Sequence, residues 1–112
     1  MAVGIHNLKA ANDQSSPLVL TTGGSVSIAQ IFEVQNLEQH VPIFARAGAA
    51  GDWITIPARQ TINVPIPAAA DTDLHLATSG EPNRRSVSVD TSKQQFEAPT
   101  RVKVSAVAIE NV

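Results

Sequence analysis

The sequence predicts an all-β protein, a single-domain antiparallel β-sandwich of seven to eight short strands, jelly-roll or immunoglobulin-like in arrangement. Three observations predict it. Val, Ile and Thr supply 29 of the 112 residues while Leu supplies only 6, and β-branched side chains suit a pleated, half-buried surface better than a helix. Seven prolines run from Pro17 to Pro99, each removing a backbone donor and clashing with the preceding helical turn. Apolar residues recur at every second position in short stretches bounded by turn formers. Leu, Ile, Val and Phe together make 30 residues, enough to drive one core and too few for two.

Leu18 to Leu20 reads as the first short strand. From Ser25 to Asn36, Val26, Ile28, Phe32 and Val34 share one face, with Gln30 the exception, while Ser25, Ser27, Glu33 and Gln35 take the other. A helical path through Ile28, Ile31, Phe32 and Gln35 matches fewer positions. His40 to Ala47 alternates Val41, Ile43 and Ala45 against Pro42, Phe44 and Arg46. Trp53 to Ile56 and Thr61 to Ile66 read as a hairpin with Pro57 to Gln60 as its turn. Leu74 with Leu76 and Val87 with Val89 mark two more strands around the turn-rich Ser79-Gly80-Glu81-Pro82-Asn83. In the last strand Val102 and Val104 share a face, then the phase slips near Ser105 and Ala106 before Val107 and Ile109, which predicts a β-bulge.

The expected core is Val26, Ile28, Phe32, Val34, Ile43, Ile54, Ile56, Ile62, Val64, Leu74, Leu76, Val87, Val89, Val102 and Val104, with Ile62 expected to be fully buried. The sandwich is expected over 17–112. Residues 1–16, polar and without periodicity, are expected to form an extended arm able to reach roughly 50 Å onto a neighbouring subunit, the alternative being a tail that folds back on its own sandwich.

Composition excludes much. Eight Lys plus Arg against ten Asp plus Glu give a net charge of −2 with no block of like charge, so counterion release has little to work with and nucleic acid is not an expected partner. The chain has no Cys, which removes disulfides, thiolate zinc sites and thiol nucleophiles together. No window is long and apolar enough to span a bilayer, and 1–16 lacks a basic start and an apolar stretch of signal-peptide length, so cytoplasmic synthesis without membrane association is expected.

Chemistry-bearing motifs are equally sparse. His6, His40 and His75 are isolated, and no serine sits in a Gly-x-Ser-x-Gly elbow. Asp71, Asp73 and His75 would share one face of a strand, a spacing that could hold a cation. With Leu74 and Leu76 facing inward, the same trio reads more simply as the wet face of an edge strand. No catalytic, cofactor or metal site is therefore expected. One Trp, no Tyr and three Phe also leave little for sugar platforms or base stacking. The expected contact residues are Trp53, following the Gly48-Ala49-Ala50-Gly51 loop, with Arg46, Arg59, Arg84 and Arg85 as charged anchors able to grip carboxylates through bidentate pairs.

The middle of the chain carries a recognisable pattern: Phe32-Glu33-Val34-Gln35-Asn36, then Val41-Pro42-Ile43-Phe44-Ala45-Arg46, then Trp53-Ile54-Thr55-Ile56-Pro57-Ala58 leading through Thr61 into Val64-Pro65-Ile66-Pro67, and finally Leu74-His75-Leu76-Ala77-Thr78-Ser79-Gly80. This stretch, about Phe32 to Gly80, resembles small β-sandwich virion proteins of tailed bacteriophages. The resemblance implies a non-enzymatic head decoration or cement protein that sits over joints between major capsid subunits, often as a trimer, and is assembled into the virion in the host cytoplasm. Connector and tail-surface roles would look similar, and a receptor- or glycan-binding sandwich is the alternative.

Overall fold

The computed structural model describes residues 2–22, 28–68, 72–80, 84–89, 92–97 and 99–111; at 28, 84–89, 92–97 and 108–111 the description is of the backbone. Among these residues lie ten strands and no helix: β1 (Gly4–Leu8), β2 (Leu18–Leu20), β3 (Ile28–Asn36), β4 (Ile43–Ala47), β5 (Ile54–Ile56), β6 (Thr61–Ile66), β7 (Leu74–Thr78), β8 (Arg84–Val89), β9 (Ser92–Glu97) and β10 (Thr100–Asn111).

The pairing is nested. With β8 and β9 set aside, the first strand pairs with the last (β1 with β10), the second with the second-last (β2 with β7), then β3 with β6 and β4 with β5, every pair antiparallel. Two further ladders, β10 with β3 and β7 with β4, roll this long ribbon into two four-stranded sheets. Sheet A has the order β1-β10-β3-β6 and sheet B the order β2-β7-β4-β5. Eight strands in two sheets connected this way form a jelly roll, which decides between the two sandwich types that the sequence allowed.

Alternation places the core between the sheets. Phe32, Val34, Val64, Ile66, Val102 and Val104 enter it from sheet A, and Ile43, Ala45, Ile56, Leu74 and Leu76 from sheet B. The register of β10 against β3 shifts between Ala106 and Ala108, so the phase slip near Ser105 and Ala106 is a bulge.

Several expectations are corrected. Residues 54–56 and 61–66 are strands, but they lie in different sheets and do not pair; Pro57 to Gln60 carries the chain across the sandwich. A hairpin and a cross-sheet arch have the same period of two, so alternation alone cannot separate them. Residues 2–16 do not form an arm: β1 pairs along its length with β10, and Ala2 and Leu8 are buried in the core. Its polar residues make turns, with the Asn12 side chain accepting from the Lys9 N–H and Asp13 accepting from the Ser15 and Ser16 N–H groups. Thr78 N–H then donates to the Asn12 carbonyl at 2.7 Å, fastening the β1–β2 connection to β7. Ile62 is only partly buried, because it opens the edge strand β6; the fully buried isoleucines are Ile43, Ile56 and Ile66. Of the remaining expected core, Val26 lies outside the described residues, and Ile28, Val87 and Val89 are described in backbone only.

One buried polar group ties the sheets together. Asn36 ends β3 in sheet A with no exposed surface, and its Nδ2 donates to the Val41 carbonyl (2.8 Å) and to the Ile56 carbonyl in sheet B (3.2 Å). Its Oδ1 accepts from the Glu38 N–H at 2.9 Å. Beside it the buried Glu38 carboxylate meets the Arg101 guanidinium at 3.3 Å, and the Glu38 carbonyl accepts from the Arg59 N–H.

Truncating a fully buried isoleucine, Ile56→Ala, is expected to cost roughly 2 to 5 kcal/mol in chemical denaturation, and Ile62→Ala clearly less. Asn36→Ala strands two carbonyls and one N–H and is expected to cost at least about 2 kcal/mol by the same measurement. Removing residues 1–8 takes a strand and two core side chains away, so calorimetry should show a large fall in the thermal transition.

Candidate functional site

The outer face of sheet B carries the most organised side-chain cluster. Its register places Val19 of β2 beside His75 of β7, and His75 beside Arg46 of β4. All three are one step out of phase with the inward Leu20, Leu74, Leu76 and Ala45, so they form a row on the opposite face. Arg46 Nε donates to His75 Nδ1 at 3.2 Å, and its guanidinium lies over the Trp53 ring, 4.2 Å from the centroid. A stacked guanidinium of this kind is worth about 0.5 to 2 kcal/mol, depending on how far it is desolvated.

The loop before β5 aims the indole. Gly48 has φ 72° and donates its N–H to the Asp73 carbonyl at 2.7 Å, while Gly51 N–H closes the turn on the Gly48 carbonyl. A side chain on Gly51 would run into the Ala47 carbonyl, so this tight turn needs glycine there. Trp53 is therefore held over Arg46, half-buried.

His75 is buried although its neighbours Arg46 and Val19 are not. β7 is a central strand of sheet B, not an edge, which corrects the wet-edge reading of Asp73 and His75. Burial, followed by the adjacent Arg46 charge, lowers the His75 pKa from its usual 6.5, with Asp73 acting in the opposite direction. Because Nδ1 accepts the Arg46 bond, the neutral ring carries its proton on Nε2. Asp71 lies outside the described residues, and among the described residues no group of three His, Cys, Asp or Glu is placed to hold a metal ion.

The other expected contact residues lie apart from this cluster. Arg59 is exposed at the opposite end of β5 from Trp53, with φ 65°, in the cross-sheet turn. Arg84 and Arg85 open β8, where Arg84 pairs with Glu97 and Arg85 with Phe96 in the β8–β9 ladder. The structure brings Arg46 and Trp53 together and adds His75 beside Arg46, a neighbour that the sequence reading did not name. The residues were in phase for it, yet only the strand order puts β7 beside β4.

A second feature is a shallow depression of about 390 Å³ between the β1–β2 connection and sheet B, lined by Asp13, Gln14, Ser15, Phe44, Thr78 and Ser79. Hydrogen bonds from Ser15 hold the Asp13 carboxyl below its usual range.

No family model matches the chain. No characterised protein and no solved structure matches it either.

The His75 geometry predicts a pH dependence. With the folded-state pKa below 6.5, the unfolded chain takes up the proton first, so stability is complete above about pH 6.5 and falls as the pH drops below it. One such proton sets a limiting slope of about 1.4 kcal/mol per pH unit. Denaturant melts between pH 5 and pH 7 should show this extra loss, and His75→Gln, which keeps an acceptor for Arg46 but does not titrate there, should flatten it.

Proposed function

We propose that this chain is a non-enzymatic virion structural protein, a capsid decoration or cement protein that binds and stabilises joints between major capsid subunits. The observation that carries this reading is the β8–β9 ribbon. It interrupts the jelly roll between β7 and β10, and among the described residues its two six-residue strands pair with each other and with no other strand. A two-stranded hairpin is marginally stable on its own in water, so a ribbon of this kind is completed by a surface that another molecule supplies. The molecule is correspondingly long, 59 × 25 × 20 Å with a radius of gyration of 15.5 Å, against about 13 Å for a compact domain of this length.

Arg85 is set opposite Phe96, Val87 opposite Gln94 and Val89 opposite Ser92 in the backbone register, so the ribbon's sequence carries Val87, Val89 and Phe96 together with Arg84, Arg85, Lys93 and Glu97 for contact with a partner. The Arg46–Trp53 pair on sheet B adds a rigid contact of the residue types that dominate interface energetics. A protein that binds only the assembled capsid lattice stabilises that lattice by mass action.

The depression lined by Phe44 with the polar groups of Asp13, Gln14, Ser15, Thr78 and Ser79 supports a second reading, a receptor- or glycan-binding module on a virion or tail surface.

Particles assembled with and without this protein separate the two. On the cement reading, particles lacking it rupture at lower temperature or under milder osmotic shock. Replacing 84–97 by a short Gly-Ser turn should abolish binding to particles while leaving the thermal transition of the isolated sandwich nearly unchanged. Equal survival of particles with lost attachment to cells would overturn the cement reading in favour of the ligand-binding one.

A further inference from the structure

Sheet edges are where one chain recruits another, since an edge strand presents a row of unpaired N–H and C=O groups. The two sheets of the sandwich have four edges, and three are blunted. β2 and β5 are three residues each, with Pro17 before the first and Pro57 after the second. β6 contains Pro65, which has no N–H to give, and Pro67 follows it. The β8–β9 ribbon carries Arg84, Arg85, Lys93 and Glu97 along its strands. β1 has none of these protections. Its sequence Gly-Ile-His-Asn-Leu holds no proline, Lys, Arg, Asp or Glu, and Ile5 is 63 % exposed with Val3 before it at 50 %.

We infer that a second copy of this chain adds to the β1 edge, antiparallel about a two-fold axis at Ile5, and joins the two A sheets into one continuous eight-stranded sheet. The strand is complementary to itself in three ways. A two-fold at Ile5 sets Ile5 opposite Ile5 and Val3 opposite Asn7, so the exposed aliphatic groups cover one another on the outer face. It brings no like-charged side chains together, because the strand holds no Lys, Arg, Asp or Glu. It also sets Gly4 of each copy opposite His6 of the other. Gly4 has φ 137°, and a Cβ there would meet nothing within 4 Å, which leaves room for the facing imidazole. Glycine inside a strand often marks such a close approach of another backbone.

The seam is short beside the roughly 800 Å² per partner of a standard interface, so the dimer forms and dissociates with concentration. The inference is independent of the virion reading, because it concerns the chain in isolation.

Analytical ultracentrifugation of the full chain from micromolar to millimolar concentration should show a monomer–dimer equilibrium. Ile5→Lys places two ammonium groups across the axis and should leave a monomer with an unchanged thermal transition, whereas Val19→Lys, at an exposed position of β2, should still dimerise. The chain has no cysteine, so Ile5→Cys offers an independent readout. Residues opposite each other in an antiparallel pair lie about 4.5 to 5.5 Å apart at Cα, within disulfide range. Oxidised glutathione should therefore convert this variant to a covalent dimer. A chain that stays monomeric at millimolar concentration, one that forms a trimer, or a dimer that Ile5→Lys leaves intact and Ile5→Cys does not cross-link would overturn the inference.

Discussion

The buried Asn36 amide is the constraint on which the rest of the sandwich hangs. Two sheets held by apolar packing alone can slide along the strand direction in steps of two residues, because every second side chain faces inward whatever the offset. Asn36 removes that freedom at one end. Its donors reach Val41 ahead of β4 and Ile56 in β5, so the last residue of a sheet A strand fixes where two sheet B strands begin and end. Register at that point propagates through the β4–β5 and β4–β7 ladders to Ala45, Arg46 and His75. The position of the Arg46–Trp53 stack is set, through that path, by a group on the far side of the core.

Glu38 and Arg101 extend the same logic at a different energetic level. A carboxylate as buried as Glu38, 3 % exposed, does not stabilise the fold simply by being paired, since the desolvation cost of a buried charge can exceed the attraction it gains. What the pair contributes is direction. Arg101 is the second residue of β10 and Glu38 lies in the β3–β4 connection, and the Leu37 N–H donates to the Arg101 carbonyl alongside them. The carboxylate is satisfied only when the start of β10 lies against that connection, which discriminates against other placements of the last strand.

The fold was legible in the sequence wherever burial alone sets the pattern. Phe32 and Val34, Ile43 and Ala45, Leu74 and Leu76, and Val102 and Val104 all declared their strands by period-two alternation, and the bulge declared itself by its broken phase. What alternation cannot carry is partnership. Ile56 and Ile62 looked like facing arms of one hairpin when they are inward residues of opposite sheets. β1 went unread because Gly4, His6 and Asn7 give a strand too short and too polar to show a period, and the turn-forming Asn12 and Asp13 beside it resemble a solvated tail. Of the contact residues, Arg46 and Trp53 were visible by type; His75 became their neighbour only through the strand order, which no local pattern encodes.

The nested pairing also governs how the chain can close on itself. Joining β4 to β5 spans only residues 48–53, and once it is made the ends of β3 and β6 are already near one another, then those of β2 and β7. Each ladder shortens the span left for the next, so the loop-closure entropy of the widest pair, β1 with β10, is met in small instalments instead of across the whole chain. Only the stretch from β7 to β10 breaks this zipper-like series, and there the β8–β9 ribbon folds the intervening residues back on themselves, bringing the two ends of the interruption closer together. The inserted ribbon thus lengthens the chain without lengthening in proportion the gap that its final strand must cross.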